Sequence, residues 1–269
     1  MTTFIDTHTH LDHCKGDAAG LVAEAAEAGV GVLIQSGTDV PSSWLAIAYA
    51  GRFPGVYATV GFHPHDAAGV TDAEWAEIVS LAADPKVVAI GETGLDYYRD
   101  RSPRPAQREV FVRHIELARD AGLPLVIHTR DADDDSLALL AAHAADLTVV
   151  LHCFSMPDRL DEVVRRGYYL SFAGNVTYKN AAALAAAARD VPLDRLLVET
   201  DAPYLTPEPF RGRPNTPAQV VHTYAFLVRQ RGLAPADLAA QVMANAGRAF
   251  PRLAAVSKAD GPDDERNTA

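Results

Sequence analysis

Short apolar runs alternate with Ala-rich amphipathic stretches along almost the whole chain, and this alternation restricts the possible folds more than any other feature of the sequence. TFID, ending at Asp6, leads into AAGLVAEAAEAGV, which reads as helix. GVLIQSG precedes SSWLAIAYAGRF, and GVYATVGFHP precedes DAEWAEIVSLAAD. KVVAIGETG precedes AQREVFVRHIELARDAG, where Val110, Phe111, Ile115, Leu117 and Ala118 recur at helical spacing. LPLVIHTR precedes DSLALLAAHAAD, LTVVLHCFS precedes DRLDEVVRRG, YYLSFAGN precedes AAALAAAARD, and DRLLVETDAP completes the series. Strands separated by helices pair in parallel, because the crossover returns the chain to the same edge of the sheet. About eight such units in 269 residues predict an α/β fold, a closed (β/α)8 (TIM) barrel. An open doubly wound sheet usually has fewer strands, and no G-x-G-x-x-G follows the first strand here. One barrel domain is expected over residues 1–253, with a disordered tail over residues 254–269, where AAVSKADGPDDERNTA is polar and aperiodic.

A chain with 48% hydrophobic and 22% charged residues can bury a sizeable core. No apolar run approaches the roughly 20 residues of a membrane span, and MTTFIDTHTH has no basic patch of a signal peptide. Cys14 and Cys153 are the only cysteines, so a cytoplasmic protein without a disulfide framework is expected. The net charge of −11 argues against a protein that coats duplex DNA through a basic face. It does not argue against an enzyme that grips one phosphodiester through bound cations, because a carboxylate cluster around metal is itself acidic.

In a barrel of this kind the chemistry sits at the C-terminal ends of the strands, where most of the ten histidines fall. Strand one, ending at Asp6, is followed by His8 and His10; strand three ends near His63 and His65; strand four carries Glu92 and Asp96. Strand five brings His128 and Arg130, strand six His152, and strand eight Glu199 and Asp201. His8 and His10 are an i, i+2 pair, so in extended chain both imidazoles reach one ion. Glu92 has two oxygens with which to bridge two ions, His128 and His152 complete the second, and Asp201 serves the first and takes a proton from its water. Imidazole with carboxylate suits Zn, Mn, Ni or Fe; carboxylate with water suits Mg. Asp6 is expected to hydrogen-bond a ligand histidine, and Glu199 to support the site or cap its strand. His13 and His65 are expected to orient loops or face water, and His114 and His143 to lie on ordinary helix faces. Cys153 is expected to point away from the site as a small buried residue.

At these residues the sequence resembles the TatD family of metal-dependent hydrolases, within the amidohydrolase-type barrels, from Phe4 to about Phe250. The resemblance rests on DTHTHLD, VGFHPH, IGETGLDYY, LPLVIHTR, LHCFS, GNVTY, VETDAPYLTP and NAGRAF. It implies a metallo-dependent hydrolase barrel with two divalent cations (Mg, Mn or Zn). His8, His10 and Asp201 would hold the first ion and His128 and His152 the second, with Glu92 between them. It implies that His63 contacts the scissile phosphate, and that the activity is that of a cytoplasmic deoxyribonuclease with 3′–5′ exonuclease action on single strands. Two departures stand out: Thr216 replaces the usual acid in RGRPNTP, and Met156 replaces the usual glycine in CFSM, where it would narrow the rim.

The leading reading is therefore phosphodiester hydrolysis of single-stranded DNA or an oligonucleotide, with Asp201, Glu92 and His63 as the catalytic set. Arg130 and Arg211 are candidate phosphate contacts, since guanidinium pairs with phosphate in a fork. Lys179 is read as a surface residue, and Tyr97, Tyr98 and Tyr204 as rim packing or base-stacking groups. The alternative is hydrolysis of a C–N bond in a small molecule; against it, Glu92 rather than a lysine stands at the end of strand four. A third reading, a binding protein whose metal only stabilises the barrel, fits poorly with ligands placed at an open mouth.

Overall fold

The computed structural model describes residues 2–253; the tail expected over residues 254–269 lies outside them. Its strands are β1 (Phe4–Thr9), β2 (Val30–Ser36), β3 (Val56–Val60), β4 (Val87–Asp96), β5 (Leu125–Arg130), β6 (Val149–Leu151), β7 (Tyr169–Phe172) and β8 (Leu196–Val198). They form one parallel sheet in sequence order. Between them run α1 (Ala18–Glu27), α2 (Val40–Arg52), α3 (Asp72–Leu81), α4 (Arg104–Ala121), α5 (Asp133–His143), α6 (Leu160–Arg165) and α7 (Ala182–Asp190), and α8 (Val220–Arg231) and α9 (Pro235–Ala249) follow β8. This is the (β/α)8 barrel the alternation predicts.

Local chemistry sets the helix starts. The Asp17 side chain accepts the Gly20 N–H at α1, and Asp39 with Ser42, and Thr71 with Glu74, form capping boxes at α2 and α3. The strands are short, apolar and buried, from Val87 to Ile90 in β4 and from Leu196 to Val198 in β8, so both faces of the sheet are covered.

Two boundaries differ from expectation. β1 continues through Thr9, so His8 lies inside the strand rather than after it. The extension pairs with β2 at Thr9 and Gln35, with a register shift after Asp6. Gln35 then accepts the Leu11 N–H at 2.7 Å and donates to Asp12 at 2.8 Å, fixing the segment beyond the strand. The second difference is that two helices, α8 and α9, follow β8, and α9 touches both β1 and β8.

The barrel closes between β1 and β8 through residues nearly two hundred positions apart. Asp6 Oδ1 accepts the Thr200 N–H at 2.9 Å and the His8 N–H at 3.2 Å. The Asp201 N–H donates to His8 O at 3.0 Å, and the His10 N–H to Ala202 O at 2.9 Å. From the outside, the Tyr224 hydroxyl donates to Ile5 O at 3.0 Å. His8, His10 and Asp201 are thus set by the closing seam itself.

Candidate metal centre

Glu92 occupies the floor of a cleft of about 630 Å³ at the C-terminal mouth of the barrel. Its placement depends on glycines on both sides. Gly91 (φ +149°) and Gly94 (φ +135°) let β4 press against β5: a Cβ at Gly91 would stand 2.6 Å from Val126 O, and one at Gly94 2.0 Å from His128 O. The GETG run is therefore a backbone requirement as well as the source of a carboxylate that could hold a metal ion.

The two oxygens of Glu92 face different imidazoles. Oε2 lies 3.2 Å from His8 Nε2 and 3.5 Å from His10 Nε2. These two nitrogens are 3.2 Å apart, and Asp201 Oδ1 lies 3.5 Å from His10 Nε2 and 4.0 Å from His8 Nε2. Oε1 lies 2.9 Å from His128 Nδ1, 3.0 Å from His152 Nε2 and 3.4 Å from His63 Nε2. Donors at about 2.0–2.1 Å from one ion stand roughly 3–3.4 Å apart. Most of these spacings fall in or near that range, and the mix of imidazole and carboxylate suits borderline divalent ions. The side chains present therefore fit divalent metal, with Glu92 common to two of the groups that could hold an ion.

Outer partners aim the imidazoles. His152 Nδ1 lies 3.3 Å from Glu199 Oε1, His8 Nδ1 3.1 Å from Ser36 Oγ, and His128 Nε2 3.3 Å from Asp96 Oδ2. A proton held on each of these outer nitrogens leaves a lone pair on the nitrogen that faces Glu92. His63 is different. Its Nδ1 accepts the His65 N–H at 3.1 Å, and burial lowers its pKa to about 4. The neutral ring then carries its proton on Nε2, which makes His63 a hydrogen-bond donor to the cleft although its distances alone would admit it as a ligand.

Burial opposes charge on Glu92, but His152, His63 and His128 overcome it and hold the carboxyl well below its usual range. Asp201 is partly buried; desolvation opposes its charge, but the His10 hydrogen bond and the nearby imidazoles hold its carboxyl below the usual range. Burial alone would lower His152, but Glu92 and Glu199 raise it well above the usual imidazole range. The site thus attracts positive charge. Asp6 is the exception: burial raises it to about 8 against its hydrogen bonds from Thr200 and His8. It bonds the backbone of His8 rather than the ring, so it ties the seam.

The structure brings His8, His10, His63, Glu92, His128, His152 and Asp201 together and puts Arg130 on the same cleft. Arg211 does not line the cleft; its guanidinium lies 4.1 Å from the Tyr178 ring centroid. Several expectations need correction. Cys153 lines the cleft, because its left-handed backbone (φ +44°) breaks the strand alternation that would have turned it away. His114 is fully buried: its ring accepts the Phe62 N–H at 2.9 Å and donates to Val110 O at 2.7 Å, so it braces the turn that carries His63. Met156 is buried in the main core instead of narrowing the rim. Thr216 stands outside the cleft beside Glu24, while its neighbour Asn215 donates to Thr200 O and Tyr204 O and holds the Asp201 loop. Tyr97 is tied to Asp135 at 2.7 Å, whereas Tyr98 and Tyr204 are exposed. Sequence reading did not assign Ser36, Asp96, Thr200 or Asn215. Of these only Asp96 carried a signal, its position at a strand end.

A family profile described as TatD-related DNase matches residues 5–251. The chain is 42% identical to "Uncharacterized metal-dependent hydrolase TatD" of Mycobacterium tuberculosis, over 91% of this chain and 97% of that protein. It is 38% identical to the "3'-5' ssDNA/RNA exonuclease TatD" of Cronobacter sakazakii, over 91% and 94% respectively. Among solved structures, the TatD homologue YJJV of Escherichia coli superposes with a TM-score of 0.86 at 30% identity, covering 92% of this chain and 98% of that one.

Proposed function

The chain belongs to the TatD-related DNase family, a family of metal-dependent hydrolases, and from that premise we propose that it hydrolyses phosphodiester bonds of single-stranded nucleic acid as a 3′–5′ deoxyribonuclease. His8, His10 and Asp201 would hold one divalent cation and His128 and His152 a second, with Glu92 shared between them; Mg, Mn and Zn all suit this set. The observation that carries the reading is the division of Glu92, one oxygen toward His8 and His10 and the other toward His128 and His152.

When bound, the cations supply a water that is nucleophilic near neutral pH and neutralise charge on the phosphoryl oxygens. The chain's own groups do the rest. Asp201 Oδ1 stays ionised at neutral pH and accepts the proton of the attacking water. His63 Nε2–H donates to a non-bridging phosphate oxygen, which gains charge in the transition state. Arg130 supplies a fork of donors at the end of β5. No lysine lines the cleft among the described residues, and Glu92 stands where a carbamylated lysine would be needed for the C–N alternative. Both cysteines are free, which suits the proposed cytoplasmic setting, and no described helix is long and apolar enough to cross a membrane.

The test is nucleotide release from a 3′-labelled single-stranded DNA with added Mg or Mn, run beside a cyclic amide, each with and without chelator. Metal-dependent release confined to the DNA is expected. Undiminished release by an Asp201→Ala, Glu92→Ala double variant would overturn the assignment.

A further inference from the structure

Three arginines, Arg99, Arg101 and Arg130, line the cleft that holds Glu92. None forms an ion pair among the described residues, whereas Arg104, Arg108, Arg119 and Arg159 each meet a carboxylate. In a chain of net charge −11, three guanidinium groups on one cleft without an ion pair among the described residues mark a place for an anion; Arg99 and Arg130 lie 5.6 Å and 3.9 Å from the Tyr98 ring centroid, an interaction that leaves their charge in place. Asp66, which also lines the cleft, feels the charge of Arg101 without reaching it as an ion pair.

The loop that carries Arg99 and Arg101 is held in place. Asp96 Oδ1 accepts the Arg99 N–H at 2.7 Å, while Asp96 Oδ2 lies 2.9 Å from His65 Nε2 and 3.3 Å from His128 Nε2. Ser102 donates to His65 O at 2.7 Å and accepts the Ala68 N–H at 3.0 Å, and Gln107 donates to Ser102 O at 2.8 Å. One carboxylate thus couples the arginine loop to a ring of the centre. Arg130 follows His128 by two residues, roughly 6.6 Å of strand, and lies 3.9 Å from the centroid of the exposed Tyr98 ring. Stacking uses the face of a guanidinium and leaves its edge donors free.

The scissile phosphate already has the Glu92 centre, His63 and Arg130, so Arg99 and Arg101 are cations beyond its needs. We propose that Arg99 and Arg101 form a second phosphate subsite, which takes the phosphate adjoining the scissile one on the same strand. The inference rests on the reading of the centre as a phosphodiesterase and adds a length requirement. The preferred substrate carries at least two phosphates in sequence, and an isolated diester binds without using this subsite.

The experiment compares the wild type with an Arg99→Ala, Arg101→Ala variant on bis(p-nitrophenyl) phosphate, on single-stranded DNA and RNA oligonucleotides, and on an oligonucleotide with a neutral methylphosphonate one linkage from the terminal bond. The variant is expected to lose about tenfold in kcat/KM on the oligonucleotides, mainly through KM, and less than about threefold on the small diester. The methylphosphonate should cost the wild type a similar factor and the variant little, the non-additivity of groups that touch. In metal-free protein, anisotropy of a labelled oligonucleotide should show weaker binding by the variant, with the salt slope shallower by about 0.7. Equal losses on both substrate types, or a wild type indifferent to the neutral linkage, would overturn the subsite and leave the phosphodiesterase reading standing. A wild type that cleaves neither the small diester nor an oligonucleotide would overturn that reading, and the subsite with it.

Discussion

Glu199 Oε1 lies 3.3 Å from His152 Nδ1, and the other oxygen of the same carboxylate is buried without a hydrogen-bond partner among the described residues. Oε1 also accepts the Cys153 N–H at 2.7 Å, so Glu199 fixes both the ring and the backbone of this strand end. A carboxylate behind a ligating imidazole aims it and raises its basicity. Glu199→Gln keeps an acceptor and removes the charge. It should weaken metal binding by about 10–100-fold while the fold survives, as read by calorimetric metal titration and circular dichroism. Unchanged metal affinity would remove Glu199 from the site.

Chelation should abolish hydrolysis and leave the barrel folded, because the donors sit at the mouth while the apolar core lies beneath them. An ion at 100 times its dissociation constant stabilises the native state by about 2.7 kcal/mol. Thermal melts with and without chelator should therefore show a midpoint lower by a few degrees, with full far-UV signal retained below it. Equal midpoints would mean that the cluster holds no ion.

Gly94→Ala would place a Cβ 2.0 Å from His128 O at a φ of +135°. Backbone has to move apart, at a cost of about 3 kcal/mol or more, and Glu92 separates from His128. Gly51, in α2, has open space at the same position, so Gly51→Ala should be neutral or stabilise by about 0.5–1 kcal/mol. Urea midpoints of the two variants check the contrast.

Burial lowers the pKa of His114 to about 4 from an ordinary 6.5. A histidine held neutral in the native state binds fewer protons than in the unfolded chain, so its contribution is present above pH 6.5 and lost as pH falls toward 4. The loss amounts to about 2 kcal/mol at pH 5. His114→Gln should lower stability at pH 7.5 and flatten the difference between pH 7.5 and pH 5, measured by urea denaturation. An identical pH dependence in variant and wild type would show that the ring is protonated without penalty.

The barrel was legible because its signal is local. Apolar runs of strand length alternating with helical periodicity reveal themselves within a few residues. The strand-end positions of His8, His10, His63, Glu92, His128, His152 and Asp201 were legible for the same reason: once the strands are numbered, barrel geometry sends their ends to one mouth. Of the residues that orient them, Glu199 was legible as a support of the site, and most of the others were not. Ser36, Thr200 and Asn215 are ordinary polar residues, and each gains its meaning from a partner on another strand or loop. His114 has the spacing of any helix residue; only the Phe62 N–H brought against it by packing explains its burial.

By itself the sequence determined the order of the elements, the eightfold parallel sheet and the strand ends that carry chemistry, since these follow from periodicity along the chain. The tertiary structure alone decided which oxygen of Glu92 faces which imidazole, that Asp6 and Asp201 close the seam, that Cys153 turns toward the cleft, and that Arg99 and Arg101 line it without an ion pair among the described residues. These are set by hydrogen bonds, steric fit and burial between residues far apart in sequence, and no local pattern encodes which distant group will satisfy a buried donor or leave a cation free.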